Sequence, residues 1–420
     1  MRVLIGAFGT RGDVQPMLAV AQALIARGHS ASLAVPPNLV GLARGVGLDA
    51  FGVGIDYEEI SRRGANGSFR EMVGVMPLVR ADVRVQLAAM EERAAQADLL
   101  VGSSVFTVGS VLSEMLGKPY VFFAYCPQLF PSGDHPSPMI PWHPLPRWVN
   151  RLTWAGFKPW WQFLLRQSIN EMRAERRLAP IDDVWATLVG KTPVLACDAA
   201  LAPAPTDYDV PVTQTGVLLM REDGDLSPEV RAFLEAGPPP VYIGFGSMSD
   251  PDPRQTTERI LESVRRAGVR ALISRGWAGL SAESVPKDVL FLGPEPHRKL
   301  FPRCAAVVHH GGAGTTHAAA LAGVPQVVMP QLLDQHYWAY RLRLAGLGPR
   351  VPRHAKDPEM LARALRTCVQ DEALRQRARA LAASMRTDGT EQVADLLERL
   401  AGVNPGAVSP GRASSARATG

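Results

Sequence analysis

The sequence predicts an α/β protein with two Rossmann-like, doubly wound parallel-sheet domains that face each other across a cleft. Short apolar strands alternate with amphipathic helices along the chain, a pattern typical of parallel sheets covered by helices. One series begins at Arg2, and a second begins after Pro238-Pro239-Pro240. The length of 420 residues agrees with two or three domains, at roughly 150 residues per domain.

The N-terminal half opens with a strand, a glycine turn and a helix. Residues 2–8 are predicted as a buried strand, residues 9–12 as the turn, and residues 14–27 as a helix that Gly28 ends. Further strands of this half are predicted at residues 30–35, 99–102 and 120–124. Ligands bind at the carboxyl ends of the strands in doubly wound sheets, so the glycine turn is expected to face the cleft.

The C-terminal half repeats the alternation of strands and helices. Its strands are predicted at residues 241–245, 270–274, 289–293, 305–309 and 326–329, and its helices at residues 255–267, 315–322, 335–345 and 358–369. The chain therefore divides into a domain at 1–218, a polar linker at 219–240, a domain at 241–385, a C-terminal helix at 386–402 and a disordered tail at 403–420.

The chain is basic, with a formal net charge of +5 and a pI of about 9.2. Arginine supplies 39 and lysine 6 of the 45 basic residues, and they are scattered along the chain. Nucleic-acid binding proteins instead cluster their basic residues on one face or helix. We interpret the excess as solvated arginines and expect no nucleic-acid partner.

The composition also bears on the compartment. No apolar run approaches the ~18 residues that a membrane span needs, and the first run, Val3–Phe8, is too short for a signal peptide. We expect a cytoplasmic protein with at most peripheral membrane contact. The four cysteines form no CxxC pair and match no zinc ribbon, so we expect them to be reduced, buried thiols.

One segment is rich in tryptophan and proline. Six of the eight tryptophans lie between Trp142 and Trp185, and five prolines lie within residues 136–146. These aromatic side chains could pack the core of an inserted helix pair. They could equally form the wall of a pocket for a bulky apolar ligand, since such pockets are lined mainly by apolar and aromatic side chains. Trp142, Trp148 and Trp154 are the candidates for contact with that ligand.

The strongest site signal is the glycine loop at residues 309–316, His-His-Gly-Gly-Ala-Gly-Thr-Thr, which follows an apolar strand and opens a helix. Free backbone N–H groups and the dipole at a helix N-terminus attract an anion, and glycines let the backbone approach it closely. His310 can donate a hydrogen bond and Thr315 can add a hydroxyl, so a diphosphate is the expected ligand. The alternative is a structural glycine turn with structural histidines.

Two further stretches of the C-terminal half accompany this loop. Gly244-Phe245-Gly246-Ser247-Met248 ends a predicted strand and places a small hydroxyl residue where it can contact a phosphate. Asp334-Gln335 follows another strand, and a carboxylate beside an amide offers acceptors and donors for sugar hydroxyls. Asp334 could also be a helix N-cap, and the two roles are compatible.

These stretches, with Ser274–Trp277 and Gly293–His297, resemble the donor-binding half of family-1 type GT-B glycosyltransferases, which use nucleotide sugars. They fall in the family's order and spacing. The chain is most similar to the bacterial branch that glycosylates glycopeptide and macrolide antibiotics and to sterol-type glucosyltransferases, over nearly its whole length except the tail. The resemblance implies that the diphosphate is held by His310 and the loop residues Gly312, Ala313, Gly314 and Thr315, with help from Ser247. It also implies that the sugar is held by Asp334 and Gln335.

The sequence departs from the plant members of the family at the nucleoside. Plant members stack the base on a Trp, whereas Pro294 and His297 stand nearest that position here. Trp277 is a candidate replacement, although a lone Trp is more often a core residue. Ala318 stands where plant members have the Glu that grips the ribose hydroxyls. A missing ribose clamp would tolerate deoxyribose, so dTDP-sugars stay open beside UDP-sugars.

The N-terminal turn carries the expected catalytic residue. Gly9 to Pro16 resembles the Gly-Asp-x-x-Pro turn of the bacterial branch, and the resemblance implies that Asp13 is the general base. A positioned carboxylate contributes typically ~10²–10⁴-fold when it removes an alcohol proton during attack. Arg11 either opposes the pKa rise that burial would give Asp13 or contacts the donor phosphate. The alternative role for Asp13 is the N-cap of the helix that starts at Val14.

Together these features predict an inverting glycosyltransferase that needs no metal or resident cofactor. It would transfer a sugar from a UDP- or dTDP-sugar to a bulky, hydrophobic, hydroxylated acceptor such as a polyketide or macrolide, a sterol-like lipid or a glycopeptide, and form a β-glycoside. A GT-B nucleotide-sugar epimerase and a non-catalytic nucleotide-binding partner protein are the alternatives. An NAD-dependent dehydrogenase is disfavoured, because the second predicted strand ends in Pro36-Pro37 without the acidic residue that binds the ribose.

Overall fold

The computed structural model describes residues 1–63, 69–104, 108–221, 224–352 and 355–403. The strands are β1 Arg2–Phe8, β2 Ser30–Val35, β3 Asp49–Gly52, β4 Leu99–Ser104, β5 Tyr120–Ala124, β6 Pro193–Leu195, β7 Thr213–Gln214, β8 Val241–Gly244, β9 Ala271–Ser274, β10 Val289–Leu292, β11 Ala306–His309 and β12 Gln326–Val328. The predicted disordered tail lies outside the described residues, apart from Val403.

The helices cover both sheets. They are α1 Arg11–Ala26, α2 Val40–Gly45, α3 Tyr57–Arg63, α4 Phe69–Gln96, α5 Gly109–Leu116, α6 Arg147–Glu175, α7 Val184–Val189, α8 Pro228–Glu235, α9 Pro253–Ala267, α10 His297–Leu300, α11 Ala313–Leu321, α12 Gln335–Leu344, α13 Pro358–Gln370, α14 Glu372–Ser384 and α15 Gly389–Leu400. Within the described ranges, no helix is both long enough and apolar enough to cross a bilayer.

The predicted pair of doubly wound sheets is confirmed. The N-terminal sheet has the order β3-β2-β1-β4-β5-β6-β7 and the C-terminal sheet has the order β10-β9-β8-β11-β12, with parallel pairing between neighbouring strands. In each sheet the strand order reverses beside the first strand of the domain, between β1 and β4 and between β8 and β11. Ligands of such sheets bind outside the carboxyl ends at this reversal, so the loops after β1, β8 and β11 occupy the expected ligand positions.

The two domains pack against each other through α11 and α12. The buried Trp338 and Leu342 of α12 belong to the same apolar cluster as Phe8 and Phe130 of the N-terminal domain. The Asp198 backbone N–H donates to His317 Nε2 at 3.2 Å, and Arg341 Nε donates to the Leu201 carbonyl at 2.8 Å. Helix α15 then returns to the N-terminal domain, where its apolar face packs in the core around α1. These contacts fix the two carboxyl-end surfaces relative to each other.

The first helix begins earlier than the sequence predicted. Helix α1 starts at Arg11 rather than Val14, because Thr10 is its N-cap and the Asp13 side chain completes a capping box. The predicted glycine turn therefore shrinks to the residues before Arg11, and Pro16 lies inside the helix. The four cysteines are all free and buried, as predicted.

Candidate active site

Asp13 is held at the N-terminus of α1 by a short network. Its Oδ2 accepts hydrogen bonds from the Thr10 backbone N–H at 2.7 Å and from the Thr10 hydroxyl at 3.1 Å. The Tyr125 hydroxyl donates to the Asp13 carbonyl at 2.9 Å. The alternative role of Asp13 as the N-cap is wrong, since Thr10 holds that position and Asp13 is the third helical residue. One oxygen is thus occupied by Thr10, which orients the carboxylate over the carboxyl end of the sheet.

Gly9 makes this orientation possible. Its φ of +135° is a conformation that side-chain-bearing residues rarely adopt. A Cβ at Gly9 would lie 2.3 Å from Asp13 Oδ2, so the carboxylate occupies the space that any side chain would take. The glycine of the predicted turn therefore serves both the backbone conformation and the position of Asp13.

The glycine loop of the C-terminal domain opens α11 as predicted. Gly312 is the N-cap and has no side chain to bond the first-turn N–H groups of the helix, which include those of Ala313, Gly314 and Thr315. Uncapped N–H groups and the helix dipole together favour an anion at this position. Gly314 is exposed and Thr315 is half-buried, so the site is open to a ligand.

His310 lies between two glycines. A Cβ at Gly312 would be 2.4 Å from His310 Nε2, and a Cβ at Gly246 would be 3.0 Å from its Cε1. The imidazole therefore joins the loop after β11 to the loop after β8, which also carries the half-buried Ser247. This contact gathers His310, Ser247 and the start of α11 at one end of the sheet.

The neighbouring His309 has a structural position. It is fully buried, its Nε2 lies 2.9 Å from Gln326 Oε1, and its Nδ1 accepts from the Gly311 N–H at 3.1 Å. Burial lowers the pKa of His309 to about 4, so the ring is neutral. His309 therefore has the structural role that was the alternative to ligand binding for the histidines of this loop. It stabilises the turn at Gly311, which has a φ of +96°.

Asp334 and Gln335 begin α12 with different surroundings. Asp334 is at the N-cap position but makes no capping bond, and its Oδ2 instead accepts from Trp338 Nε1 at 3.1 Å. Gln335 is buried, and its Oε1 accepts from the backbone N–H groups of Gln331 and Leu332. Asp334 is thus the half-buried member of the pair, while Gln335 shapes the loop that precedes it.

Charges on the two domains influence each other across the cleft. Burial raises the pKa of Asp334 to about 7, and the negative charge of Asp13 adds to the rise. Burial lowers the pKa of His297 to about 4, and the positive charge of Arg11 adds to that fall. Asp13 and Arg11 therefore lie within electrostatic range of the C-terminal residues that the sequence associates with the donor.

The candidates for the nucleoside base differ in their environment. The His297 ring is stacked on Phe301 with centroids 4.3 Å apart, and its Nε2 lies 3.4 Å from the Tyr242 hydroxyl. Trp277 is half-buried, and its backbone N–H donates to the Gly246 carbonyl at 3.1 Å. This bond attaches the loop after β9 to the loop that carries Ser247. Trp277 therefore lies beside the loop after β8 that carries Ser247, and His297 is held by its own aromatic neighbours.

The tryptophan-rich segment separates into buried and exposed members. Trp154 is buried against Phe157 and Trp185, with ring centroids 5.4 and 6.1 Å away, and its Nε1 donates to the His135 carbonyl. Trp142 and Trp148 are 67% and 66% exposed. Core packing therefore accounts for Trp154, whereas the other two have side chains free to meet a ligand.

The structure adds residues that the sequence analysis missed. Thr10, Tyr125 and Trp338 contact Asp13 or Asp334 directly. The Thr10 contact had a local signal, because a Thr three residues before an acidic residue is the pattern of a capping box. Tyr125 and Trp338 had none, since their roles depend on tertiary contacts. Among the residues that the structure describes, no group of three or more His, Cys, Asp or Glu side chains could hold a metal ion.

The fold has two parallel-sheet domains, with an uncapped helix start on one and an oriented carboxylate on the other, as the resemblance to GT-B type glycosyltransferases implies. Comparison with known proteins agrees. Residues 3–129 match the glycosyltransferase family 28 N-terminal domain, and residues 272–400 match the C-terminal domain of erythromycin biosynthesis protein CIII-like proteins. The chain belongs to the family of nucleotide-sugar-dependent glycosyltransferases that includes the antibiotic and sterol enzymes.

Individual relatives cover most of the chain. Glycosyltransferase GtfE and the vancomycin aglycone glucosyltransferase of Amycolatopsis orientalis are each 34% identical to it, over 94% of this chain and 97% of theirs. The sterol 3-beta-glucosyltransferase UGT80B1 of Arabidopsis thaliana is 33% identical over 89% of this chain and 63% of its own. The crystal structure of glycosyltransferase VinC in complex with dTDP superimposes with a TM-score of 0.68 at 20% identity, over 96% of this chain and 100% of VinC.

Proposed function

We propose that this glycosyltransferase inverts the anomeric centre of a UDP- or dTDP-sugar, with Asp13 as the general base. The observation that carries the proposal is the orientation of Asp13. Thr10 fixes one of its carboxylate oxygens, and its charge reaches Asp334 on the opposite domain. An acceptor hydroxyl at Asp13 and a donor sugar at Asp334 would then be neighbours in one cleft.

The base acts on the nucleophile. Asp13 takes the hydroxyl proton as the acceptor oxygen forms its bond to the anomeric carbon, and the bond from that carbon to the diphosphate oxygen breaks on the opposite face. An α-linked donor then gives a β-glycoside. The Thr10 hydrogen bonds to Oδ2 hold the carboxylate in a defined position before the acceptor arrives, which is what a general base requires.

The leaving group is stabilised from the other domain. The departing diphosphate gains negative charge, and the start of α11 offers N–H groups and a favourable dipole where that charge develops. His310, Thr315 and Ser247 supply further donors, and Arg11 supplies a positive charge. These groups together perform the stabilisation that a metal ion gives in other transferases, so we propose catalysis without a metal or a resident cofactor.

The proposed classes of donor and acceptor rest on particular residues of the two domains and on the relatives. Asp334 accepts sugar hydroxyls, and Ala318 lacks the carboxylate that would grip a ribose, so both UDP- and dTDP-sugars are accommodated. VinC, whose structure contains dTDP, supports the deoxyribose alternative. The exposed Trp142 and Trp148 favour a bulky apolar acceptor with hydroxyl groups, which agrees with relatives named for vancomycin aglycone and for sterols.

The proposal is tested with Asp13→Asn, which keeps the size of the side chain and the acceptor for Thr10. A screen of UDP- and dTDP-sugars against polyketide, glycopeptide and sterol acceptors first identifies a productive pair by mass detection. We then expect Asp13→Asn to lower kcat by roughly 10²–10⁴-fold, the usual contribution of a general base. Donor affinity, measured by calorimetry, should stay unchanged. Near-normal turnover with intact donor binding would falsify the assignment of Asp13.

The same screen separates the alternative functions. A nucleotide-sugar epimerase converts the donor without any acceptor, so its product appears in the reaction that contains nucleotide sugar alone. A non-catalytic nucleotide-binding protein releases no nucleoside diphosphate with any acceptor. Acceptor-dependent release of nucleoside diphosphate together with a glycosylated product is the outcome expected from Asp13 and the α11 site.

A further inference from the structure

The N-terminal domain contains a second carboxylate placed like Asp13. Asp82, on α4, is 5% exposed, and a Cβ at Gly54 would lie 2.4 Å from its Oδ1. Gly54 has a φ of +75°, so its backbone also disfavours a side chain. Asp82 is therefore packed against a glycine at the end of β3, as Asp13 is packed against Gly9 at the end of β1.

The sheet register places these two glycines at one level. Gly6 of β1 pairs with Ala34 of β2, and Ala34 pairs with Phe51 of β3. Gly9 and Gly54 each follow three residues after the matched positions. Strands are ~4.8 Å apart in a sheet, so the two glycines lie roughly 10 Å apart at the carboxyl edge. Both glycines thus lie at the carboxyl edge of the N-terminal sheet, and each has a carboxylate packed against it.

Tyr57 carries a phenol group that the charges of both carboxylates influence. It is the first residue of α3, three positions after Gly54, and its ring packs on the N-terminal core. Burial raises the pKa of Tyr57, and the charges of Asp82 and Asp13 add to that rise. Its hydroxyl makes no hydrogen bond to the residues that the structure describes. A half-buried phenol with an unused hydroxyl is therefore held within electrostatic range of the catalytic carboxylate.

Asp82 itself lacks a full set of partners. Its Oδ2 accepts from Gln86 Nε2 at 2.6 Å, while its buried Oδ1 has no hydrogen-bond partner within the described ranges. Burial raises the pKa of Asp82, because its charged form loses hydration there. An unsatisfied buried acceptor costs folding free energy, so its retention calls for a compensating role.

We propose that Tyr57, backed by Asp82, forms a polar acceptor subsite beside Asp13 that binds a second hydrogen-bonding group of the acceptor, either a hydroxyl or an ammonium group. Tyr57 contacts the acceptor. Asp82 is a positioning residue whose negative charge attracts the phenol proton and the hydroxyl or ammonium hydrogen of the acceptor. The subsite selects which acceptor hydroxyl reaches Asp13. This inference rests on the proposed glycosyl transfer and specifies its acceptor as one with at least two polar groups.

The test compares Tyr57→Phe and Asp82→Asn with the wild-type enzyme. Vancomycin aglycone carries many hydroxyls and an ammonium group, an N-acetylated form lacks the ammonium group, and sitosterol has a single hydroxyl. One lost hydrogen bond corresponds to roughly three- to tenfold in affinity. We expect the KM for vancomycin aglycone to rise by roughly that factor in both variants, with donor KM unchanged. Turnover of sitosterol should be insensitive to both substitutions.

Tyr208→Phe is the matched control. Tyr208 is another half-buried tyrosine of this domain that two carboxylates influence, Asp183 and Asp209, and it stacks obliquely on Phe130. It should behave as wild type. If Asp82→Asn raises the KM for vancomycin aglycone more than Tyr57→Phe does, and the N-acetylated aglycone shows no such rise, the subsite binds the ammonium group. If the KM values for the two forms of the aglycone rise equally, the subsite binds a hydroxyl.

The outcomes also separate this inference from the proposed function. Absence of product from the wild-type enzyme with every acceptor would count against the proposed acceptor class, and with it against the subsite. Product from the wild type, with acceptor KM values of Tyr57→Phe and Tyr208→Phe that agree within twofold, would overturn the subsite alone. Turnover of sitosterol alone among the acceptors would also overturn it, since a single hydroxyl leaves nothing for Tyr57 to bind.

Discussion

The close contact between Gly9 and Asp13 means that a substitution at Gly9 can move the Asp13 carboxylate while Asp13 itself is kept. In Gly9→Ala the new Cβ would stand 2.3 Å from Asp13 Oδ2, whereas ordinary contacts begin at 3.4 Å, so the carboxylate oxygen must withdraw by about 1 Å. A misplacement of ~1 Å can cost about 10²-fold in rate. We therefore expect kcat to fall by about 10²-fold. The strained backbone and the weakened capping box should each lower the free energy of unfolding by about 1–2 kcal/mol.

The control for backbone strain is Gly28→Ala. Gly28 has a φ of +82°, yet a Cβ there would meet nothing within 4 Å, so this variant imposes strain without moving Asp13. Both variants are assayed for release of nucleoside diphosphate with the productive acceptor, for donor affinity by calorimetry, and for thermal unfolding. Both should melt at lower temperature, and only Gly9→Ala should lose kcat. Equal kcat values in the two variants would refute the argument that Gly9 positions the base.

Three further predictions concern the donor site and the acceptor wall. Gly312→Ala forces a Cβ to 2.4 Å from His310 Nε2 and should weaken donor binding by about tenfold or more in calorimetry; unchanged affinity would contradict the diphosphate site. The pKa of Asp334 is higher in the folded chain than in the unfolded chain, so the protonated carboxyl favours folding. Between about pH 4 and 7, the wild type should therefore lose stability relative to Asp334→Asn as the pH rises. Parallel plots of melting temperature against pH for the two proteins would contradict this. Trp154→Ala should cost about 3–5 kcal/mol of stability, and Trp148→Ala should cost under about 0.5 kcal/mol but raise acceptor KM; the reverse pattern in chemical denaturation would contradict the assignment.

Local patterns in the sequence were sufficient for the fold and for the donor side of the site. The apolar strand before His309, the glycines after it and the helix that follows are contiguous in the chain, so their geometry depends on neighbouring residues. Helix α1 starts three residues before the predicted position, because the Thr10–Asp13 capping box, rather than the glycines of the turn, sets its first residue. The expected role of Asp13 as the general base is unaffected, and only its alternative role as the N-cap is excluded.

The acceptor side depends on contacts between distant residues. Asp82 and Gly54 are far apart in sequence, and only the tertiary packing of α4 against the loop after β3 brings them together. The tryptophans of α6 were counted by composition rather than by face. Trp148 and Leu152 lie four residues apart on the exposed side of the helix, whereas Trp154 and Phe157 lie on its buried side. Helical periodicity alone could have separated these two groups.

The division of the site between two domains gives a physical reason for the interdomain contacts. In the proposed reaction, Asp13 acts only when groups at α11 and α12 place the anomeric carbon, and those helices are attached to the N-terminal domain through His317 and Arg341. Asp13 also makes ionisation of Asp334 less favourable. Under the proposed function, sugar hydroxyls that donate hydrogen bonds to Asp334 would favour its ionised form and oppose that effect. Recognition of the sugar on one domain and the charge of Asp13 on the other would thus be linked through the ionisation of Asp334.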